Sequence, residues 1–402
     1  MSLGAAGQGL ADPLLRVLVP FAAVYLLQFV LRAVTAVAAP SIALDLALGP
    51  QALGLLTSAY FLGYAVMQLP DGALLDRFGP RRTSIGLIGM GCTGALLFAL
   101  ASDAVQLGLS RMLIGMGFSA SLMAAFRANA LWFKPADLPV MNGLVTAAGG
   151  AGAVLATTPA QLLMATFGWR ALFVLLAALG LGLMALLKLA VPEPRALERA
   201  APVGTGAAFR KILGAPLVRR LTPVAVVTQA ALLAYQSLWA GDWLRTVAGL
   251  GERAAAGALL GLSAATVAGF LGLPLLARRL APWLGLQSFM LAGAAAFCAV
   301  QTGLVLLPAA AAPWLWPIFG LTGTSSILTY ALLARAMPVA IGGRTMTALN
   351  FAVFVAAFAV QALIGVVLDG AGEAAAGHRL ALGALLTVEV AALGWALRPT
   401  GR

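Results

Sequence analysis

The sequence predicts an all-α membrane protein of twelve transmembrane helices, and three observations carry that reading. Of the 402 residues 62% are hydrophobic and 9% charged, with a mean hydropathy of +0.99. No water-soluble fold covers so much apolar surface with so few polar groups. The apolar residues fall into twelve runs, each near the ~20 residues that a spanning helix needs. These runs are too long and too uniformly apolar for barrel strands, and an unpaired backbone is costly in lipid, so helix is the assignment.

In chain order, the first run (15–38) follows a short polar start and lacks a small-residue cleavage site, so it reads as a retained helix and not a removed signal. Runs at 51–70 and 84–101 flank PDGALLDRFGPRR (70–82), which packs two Gly, two Asp and three Arg into an otherwise nearly uncharged chain. Such a knot belongs in water or at a membrane surface. It reads as a tight cytoplasmic turn, with Gly72 allowing close helix approach and Gly79-Pro80 breaking the backbone. Runs at 105–127, 140–166 and 170–190 complete six spans, and residues 1–190 form an N-terminal half. Residues 191–220, rich in Pro, Ala, Gly and Arg, read as a cytoplasmic linker with a short surface helix near Ala207–Leu213. Runs at 221–244, 255–277, 284–307, 313–336, 345–368 and 379–397 make residues 221–402 a second six-helix half.

The net charge of +12 invites a nucleic-acid reading that its placement rejects. Arg16, the Arg77/Arg81/Arg82 turn, Lys134, Lys188, Arg195, Arg199, Arg210, Lys211, Arg219, Arg220, Arg278 and Arg279 fall at alternate span ends. The opposite ends hold fewer cations, beside Asp45, Asp103, Glu252, Asp369 and Glu373. Basic residues stay on the cytoplasmic side, so both termini and the linker are expected there, in a bacterial inner membrane. Cys92 and Cys298 each sit inside an apolar run and read as buried free thiols. His378 stands at an outer helix end with no second His or carboxylate at ligand spacing, so neither a metal nor another cofactor is expected.

Gly72, Asp76, Arg77, Gly79, Arg81 and Arg82 lie in a loop that resembles the signature between helices 2 and 3 of the major facilitator superfamily. Gly72–Arg77 (GALLDR) is echoed after the eighth span by GLPLLARR (272–279), with Ala277 in the acidic position. RMLIGMG (111–117) likewise resembles the superfamily's helix-4 motif, an intramembrane Arg followed by spaced glycines. The resemblance implies two parallel six-helix halves with a mid-membrane site between them. It also implies a conformational gate at Gly72, Asp76, Arg77, Arg81 and Arg82. The fifth span (142–163) is dense in Gly but lacks the G-P-x-x-G-G pattern of drug-export antiporters. Its small residues otherwise allow close helix packing.

Charge inside the hydrocarbon is rarely kept without a use, since it costs upward of ~2.5 kcal/mol. Arg32, Arg111 and Arg127 qualify, and the first and fourth spans hold no deep carboxylate to neutralise them. Arg32 shares a helix face with Tyr25 and Gln28, so phenol, amide and guanidinium point one way. Arg111 reads either as a ligand for an anion or as scaffolding held by carbonyls; Arg127 reads as snorkelling to the cytoplasmic surface. Arg32 and Arg111 together resemble the organic-anion branch of the superfamily, which implies a substrate-binding Arg in each of helices 1 and 4. Several members of that branch carry carboxylates for proton coupling where this chain has Leu31 and Phe118. The resemblance with those sites missing implies exchange or facilitated diffusion.

Polar groups elsewhere complete the candidate site: Tyr60 and Tyr64 in the second span, Tyr235, Gln236 and Trp239 in the seventh, Tyr330 in the tenth, and Asn350 and Gln361 in the eleventh. Glu389 is the deep carboxylate, on the last span. No Walker sequence, nucleophile with a base, or redox motif supports an enzyme or an ATP-driven pump. The expectation is a monomeric secondary or facilitative transporter in the lipid bilayer that moves a small organic anion by alternating access. Two alternatives stand beside it: an exporter of amphipathic metabolites or drugs, and a non-transporting solute receptor on the same fold.

Overall fold

A computed structural model describes residues 13–134, 137–192, 205–308, 312–337 and 339–398, and among them the only regular structure is helix. Residues 193–204 of the expected linker, with Arg195 and Arg199, lie outside the described residues. Twelve crossings follow one another. The first is α1 (Leu14–Ala33) and α2 (Thr35–Leu46), interrupted at Val34. The second and third lie in α3 (Pro50–Leu100) and part at Gly79, whose φ of 76° and ψ of 169° suit a residue without Cβ. Pro80 then opens the third crossing, where its missing N–H is not needed.

The turn is shorter than its sequence suggests. Pro70 is passed without a break, and the helix runs on through Gly72 to the kink. A Cβ on Gly72 would meet nothing within 4 Å, so the close approach expected there is absent in this conformation. Only Gly79 supplies the positive φ that a reversal needs.

The fourth crossing is α4 (Ala104–Phe118), capped by Asp103 accepting from Gln106 N at 2.8 Å, then α5 (Ser121–Trp132). The fifth and sixth lie in α6 (Leu138–Leu155) and α7 (Thr158–Ala190), with a second positive-φ break at Gly168 inside α7. The short helix expected in the linker is α8 (Thr205–Gly214), and its Ile212 is buried with Val218, Ala225 and Leu333. The seventh crossing is α9 (Pro216–Ala234), a π-turn (Tyr235–Trp239) and α10 (Ala240–Thr246). The eighth and ninth are α11 (Glu252–Leu284) and α12 (Leu286–Leu306). The tenth is α13 (Ala312–Gly323), a 3-10 turn (Thr324–Ile327) and α14 (Leu328–Ala336). α15 (Val339–Gly370) and α16 (Ala374–Leu397) complete the bundle.

Among the described residues nine of these helices are long and apolar enough to span a membrane on their own. The second, fifth and tenth crossings complete the twelve, in shorter or interrupted helices. Large apolar side chains such as Leu163, Leu179, Leu363 and Val388 face outward, as lipid requires. Trp283 and Trp314 are exposed near helix ends, where an indole suits the water–lipid boundary.

Small residues set the spacing inside. A Cβ on Gly115 would lie 2.1 Å from Tyr60 O, and one on Gly63 would lie 2.2 Å from Met112 O, so the second and fourth crossings touch backbone to backbone. The small residues of the fifth crossing act as expected: Gly149 and Gly152 seat it on the first crossing, and Gly150 seats it on Val267 of the eighth. Crossings two and eleven run side by side from Gly54, against Gln361 O and Gly365, to Gln68, against Asn350.

Candidate functional site

Arg32 emerges from the last turn of α1 into the middle of the bundle and is buried, at 7% exposure. Its guanidinium lies 3.9 Å from the centre of the Phe29 ring, one turn back on the same helix. Among the described residues no carboxylate forms an ion pair with it, whereas Arg127 and Arg170 each have one. Tyr25 packs edge-on to Phe29 at 4.9 Å. Gln28 Nε2 donates to Tyr60 Oη at 2.8 Å, and Gln28 Oε1 is buried without a partner. Tyr60 and Tyr64 lie 6.2 Å apart, and Phe354 from the eleventh crossing stacks on Tyr64 at 4.0 Å. The structure therefore gathers Tyr25, Gln28, Arg32, Tyr60 and Tyr64 as expected and adds Phe29 and Phe354. Phe29 was legible as a helix-face neighbour of Tyr25 and Arg32. No local signal marks Phe354, which arrives from a distant helix.

Arg111 has a different task. It is fully buried and donates through Nη1 to Leu31 O at 2.7 Å and through Nη2 to Arg32 O at 3.4 Å, with its guanidinium 5.0 Å from the Tyr60 ring. Those carbonyls end α1 at the Val34 interruption, where helix carbonyls lack their usual partners. Of its two readings, scaffolding is the one this geometry displays.

The other expected residues form two neighbouring groups. Tyr330 Oη donates to Asn350 Oδ1 at 3.2 Å, and Asn350 Nδ2 donates to Gln68 Oε1 at 3.0 Å, which ties the tenth, eleventh and second crossings together. Trp239 Nε1 donates to Gln361 O at 3.0 Å, and Ser237 Oγ donates to Gln361 Oε1 at 3.1 Å. Tyr235 lies among Trp316 and Phe319 with its hydroxyl unpartnered, and Gln236 Nε2 is also buried without a partner. Among the described residues no hydrogen bond or ring contact joins Tyr235, Gln236, Trp239 or Gln361 to the Arg32 cluster.

At the Gly79 end, Asp76 pairs with Arg127 at 2.9 Å. The expected partners are otherwise engaged: Arg77 lies 5.1 Å from the Phe78 ring, Arg81 Nη2 donates to Lys188 O at 2.5 Å, and Arg82 is also partnered. The correction has a simple cause. The helix continues through residue 78, so Arg77 projects about 100° away from Asp76, which faces α5 instead. Arg127 is thus an ion-pair partner as well as a surface-seeking cation.

Two further groups, Asp71 and His378, correct the sequence reading, while Glu389 is as deep as its span predicts. Asp71, read as part of a solvated turn, is 4% exposed, and the polar group beside its carboxylate is the Ser119 hydroxyl, which donates to Met116 O. Glu389 is buried and accepts from Gln301 Nε2, so its helix presents it inward to the ninth crossing. His378 is buried, with Nε2 3.0 Å from Asp242 Oδ2, a partner invisible at a separation of 136 residues. Among the described residues no cluster of three metal-ligating side chains exists.

A family model described as the Major Facilitator Superfamily matches residues 21–361, and the chain belongs to that superfamily. It is a multi-pass membrane protein of that superfamily's fold. The Bacillus subtilis protein described as uncharacterized transporter YybO is 35% identical over 152 residues, 37% of this chain and 34% of that protein. The probable sulfoacetate transporter SauU of Cupriavidus necator is 29% identical over 158 residues, covering 39% and 37%. The probable L-galactonate transporter of Escherichia coli is 30% identical over 165 residues, covering 40% and 35%. The chain thus covers about a third of the length of these curated relatives. Among solved structures, a bacterial homolog of the human lysosomal transporter Spinster superposes with a TM-score of 0.77 at 18% identity, over 97% of each chain. The D-xylose–proton symporter superposes with a TM-score of 0.78 at 15% identity, over 95% of this chain and 96% of that one. These two establish the fold and no more.

Proposed function

We propose that this chain is a secondary transporter that moves a small organic anion across a bacterial inner membrane as a monomer. Residues 1–190 and 221–402 would form two halves that rock about the Arg32 cluster, joined by a cytoplasmic linker (191–220). One observation carries the reading: a guanidinium held in the bundle with no protein counter-charge, so that the cargo supplies it. A carboxylate or sulfonate meets the planar fork with two parallel hydrogen bonds. The names of relatives, a probable sulfoacetate transporter and a probable L-galactonate transporter, support an anionic cargo. Proteoliposomes test it directly. Labelled organic anions are expected to enter, and unlabelled anions to compete while tetraphenylphosphonium does not. Competition by the lipophilic cation alone would make the protein an exporter of amphipathic compounds, and binding without flux would make it a receptor.

The Asp76–Arg127 pair is the proposed gate latch. Both side chains are partly exposed, so breaking the pair costs no more than about 1 kcal/mol of stability. Arg127→Gln is therefore expected to leave thermal stability nearly unchanged and to alter the labelling of cysteines placed on either side of the bundle. Unchanged labelling on both sides would remove the latch role.

Asp71 favours a second reading of the coupling. An ionised carboxylate with no counter-charge and a single hydroxyl beside it is costly to bury, and a proton removes that cost. Proton-coupled uptake then replaces the exchange or facilitated diffusion inferred from Leu31 and Phe118. If so, Asp71→Asn abolishes the response of uptake to an inward proton gradient and spares anion exchange. Retention of that response in the variant would return the protein to exchange.

A further inference from the structure

The surroundings of Arg32 bear on what the anion carries behind its charge. Its guanidinium rests on Phe29, the rings of Tyr25, Tyr60 and Tyr64 lie within electrostatic reach of it, and Phe354 stacks on Tyr64. Nearby amides are already engaged: Gln28 with Tyr60 and Asn350 with Gln68, while Tyr330 is tied to Asn350. On this lining Gln28 Oε1 is buried without a partner, and the Tyr60 hydroxyl accepts from Gln28. A polyhydroxylated acid bears a hydroxyl on nearly every carbon, and each one taken from water without a partner is penalised. Ring carbons offer no such partners. They do offer flat apolar faces, which suit offset or edge-on stacking with another ring. The charge count is equally restrictive, because Arg111, over the Tyr60 ring, is spent on main-chain carbonyls, which leaves Arg32, stacked on Phe29 without a protein counter-charge, as the cation for the cargo.

We infer that the cargo is a monoanion with an aromatic or compact apolar body, and not a polyhydroxy acid. This rests on the anion reading above and narrows it. The acid head sits on Arg32, the body lies between Phe29 and the Tyr64–Phe354 stack, and a single ring hydroxyl or N–H finds Gln28 Oε1. Chemically, such cargo resembles a benzoate, a phenylacetate or a hydroxybenzoate.

The test is competition for transport in proteoliposomes, with ligand-induced thermal stabilisation as a second readout. The panel is benzoate, phenylacetate, 4-hydroxybenzoate, phthalate, galactonate and glucuronate, with benzyl alcohol as the uncharged control. Aromatic monocarboxylates are expected to bind at least about tenfold tighter than either sugar acid. Phthalate and benzyl alcohol are expected to fall behind benzoate. Phe354→Ala should shrink the aromatic preference to about twofold; Tyr64→Leu serves if that variant fails to fold. Galactonate or glucuronate binding as well as benzoate, in an Arg32-dependent manner, would overturn the aromatic assignment and leave the anion reading standing. An intact aromatic preference in a folded Phe354 or Tyr64 variant would also overturn it. If no anion of either class binds, the anion reading itself falls.

Discussion

Arg32→Met is expected to abolish anion binding and, at the same time, to raise the melting temperature of the empty protein. The two effects have one cause. In the absence of cargo the guanidinium is a buried cation with no carboxylate beside it, and its compensation is the Phe29 ring at 3.9 Å. A cation–π contact supplies about 1 kcal/mol. A charge in the hydrocarbon costs ~2.5 kcal/mol or more, so desolvation wins and an apolar side chain of similar length relieves it by about 1–2 kcal/mol. Binding moves the opposite way: losing a charge-assisted bidentate contact removes about 3 kcal/mol, roughly a hundredfold in affinity. Arg111→Met provides the contrast. Its guanidinium closes on Leu31 O at 2.7 Å, and removing it leaves buried carbonyls unpaired, so that variant is expected to lose about 2 kcal/mol of stability. Differential scanning fluorimetry with and without a saturating anion separates these outcomes. A melting temperature that falls in Arg32→Met would make Arg32 a scaffolding residue like Arg111.

The contrast between the two arginines also marks how far the sequence carries. Both were visible, because a charge inside an apolar run is a local property, and so were the spans, the Gly79-Pro80 break and the short helix at Thr205–Gly214. Their different roles were not visible. Arg111 is decided by the Val34 interruption, which no glycine or proline at that position announces. Asp71 was read as solvated because Pro-Asp-Gly looks like a turn, yet a reversal needs a positive φ, and between residues 70 and 82 the chain takes one only at Gly79. The helix therefore carries Asp71 inward. Asp76–Arg127, Asp242–His378 and Tyr64–Phe354 are each made between helices far apart in the chain. Periodicity assigns a residue to a helix face, but which helix meets that face is a property of the whole bundle.

Gly115→Ala is expected to be the most damaging single methyl group in the site. The added Cβ would lie 2.1 Å from Tyr60 O, a backbone atom that cannot rotate aside, so the second and fourth crossings must separate. One turn away Gly63 makes the reciprocal contact with Met112 O, so the shift spreads along the seam. Overpacking of this kind costs about 1–3 kcal/mol or more, whereas the better helix propensity of Ala returns at most ~1 kcal/mol. A net loss of about 2 kcal/mol follows, and the damage does not stop at stability. Tyr60 is the acceptor for Gln28 and the face under Arg111, and Arg111 holds Leu31 O beside Arg32. Separating the helices by an ångström moves the anion-binding turn away from its aromatic wall, so transport should fall more steeply than folding. Gly72→Ala is the matched control: a Cβ there meets nothing within 4 Å, so the same substitution should be neutral or stabilising by a few tenths to ~1 kcal/mol. Melting temperature and initial uptake rate, measured on both variants in one membrane preparation, decide the matter. Equal stability of Gly115→Ala and Gly72→Ala would mean that the backbone contact between crossings two and four does not position the site.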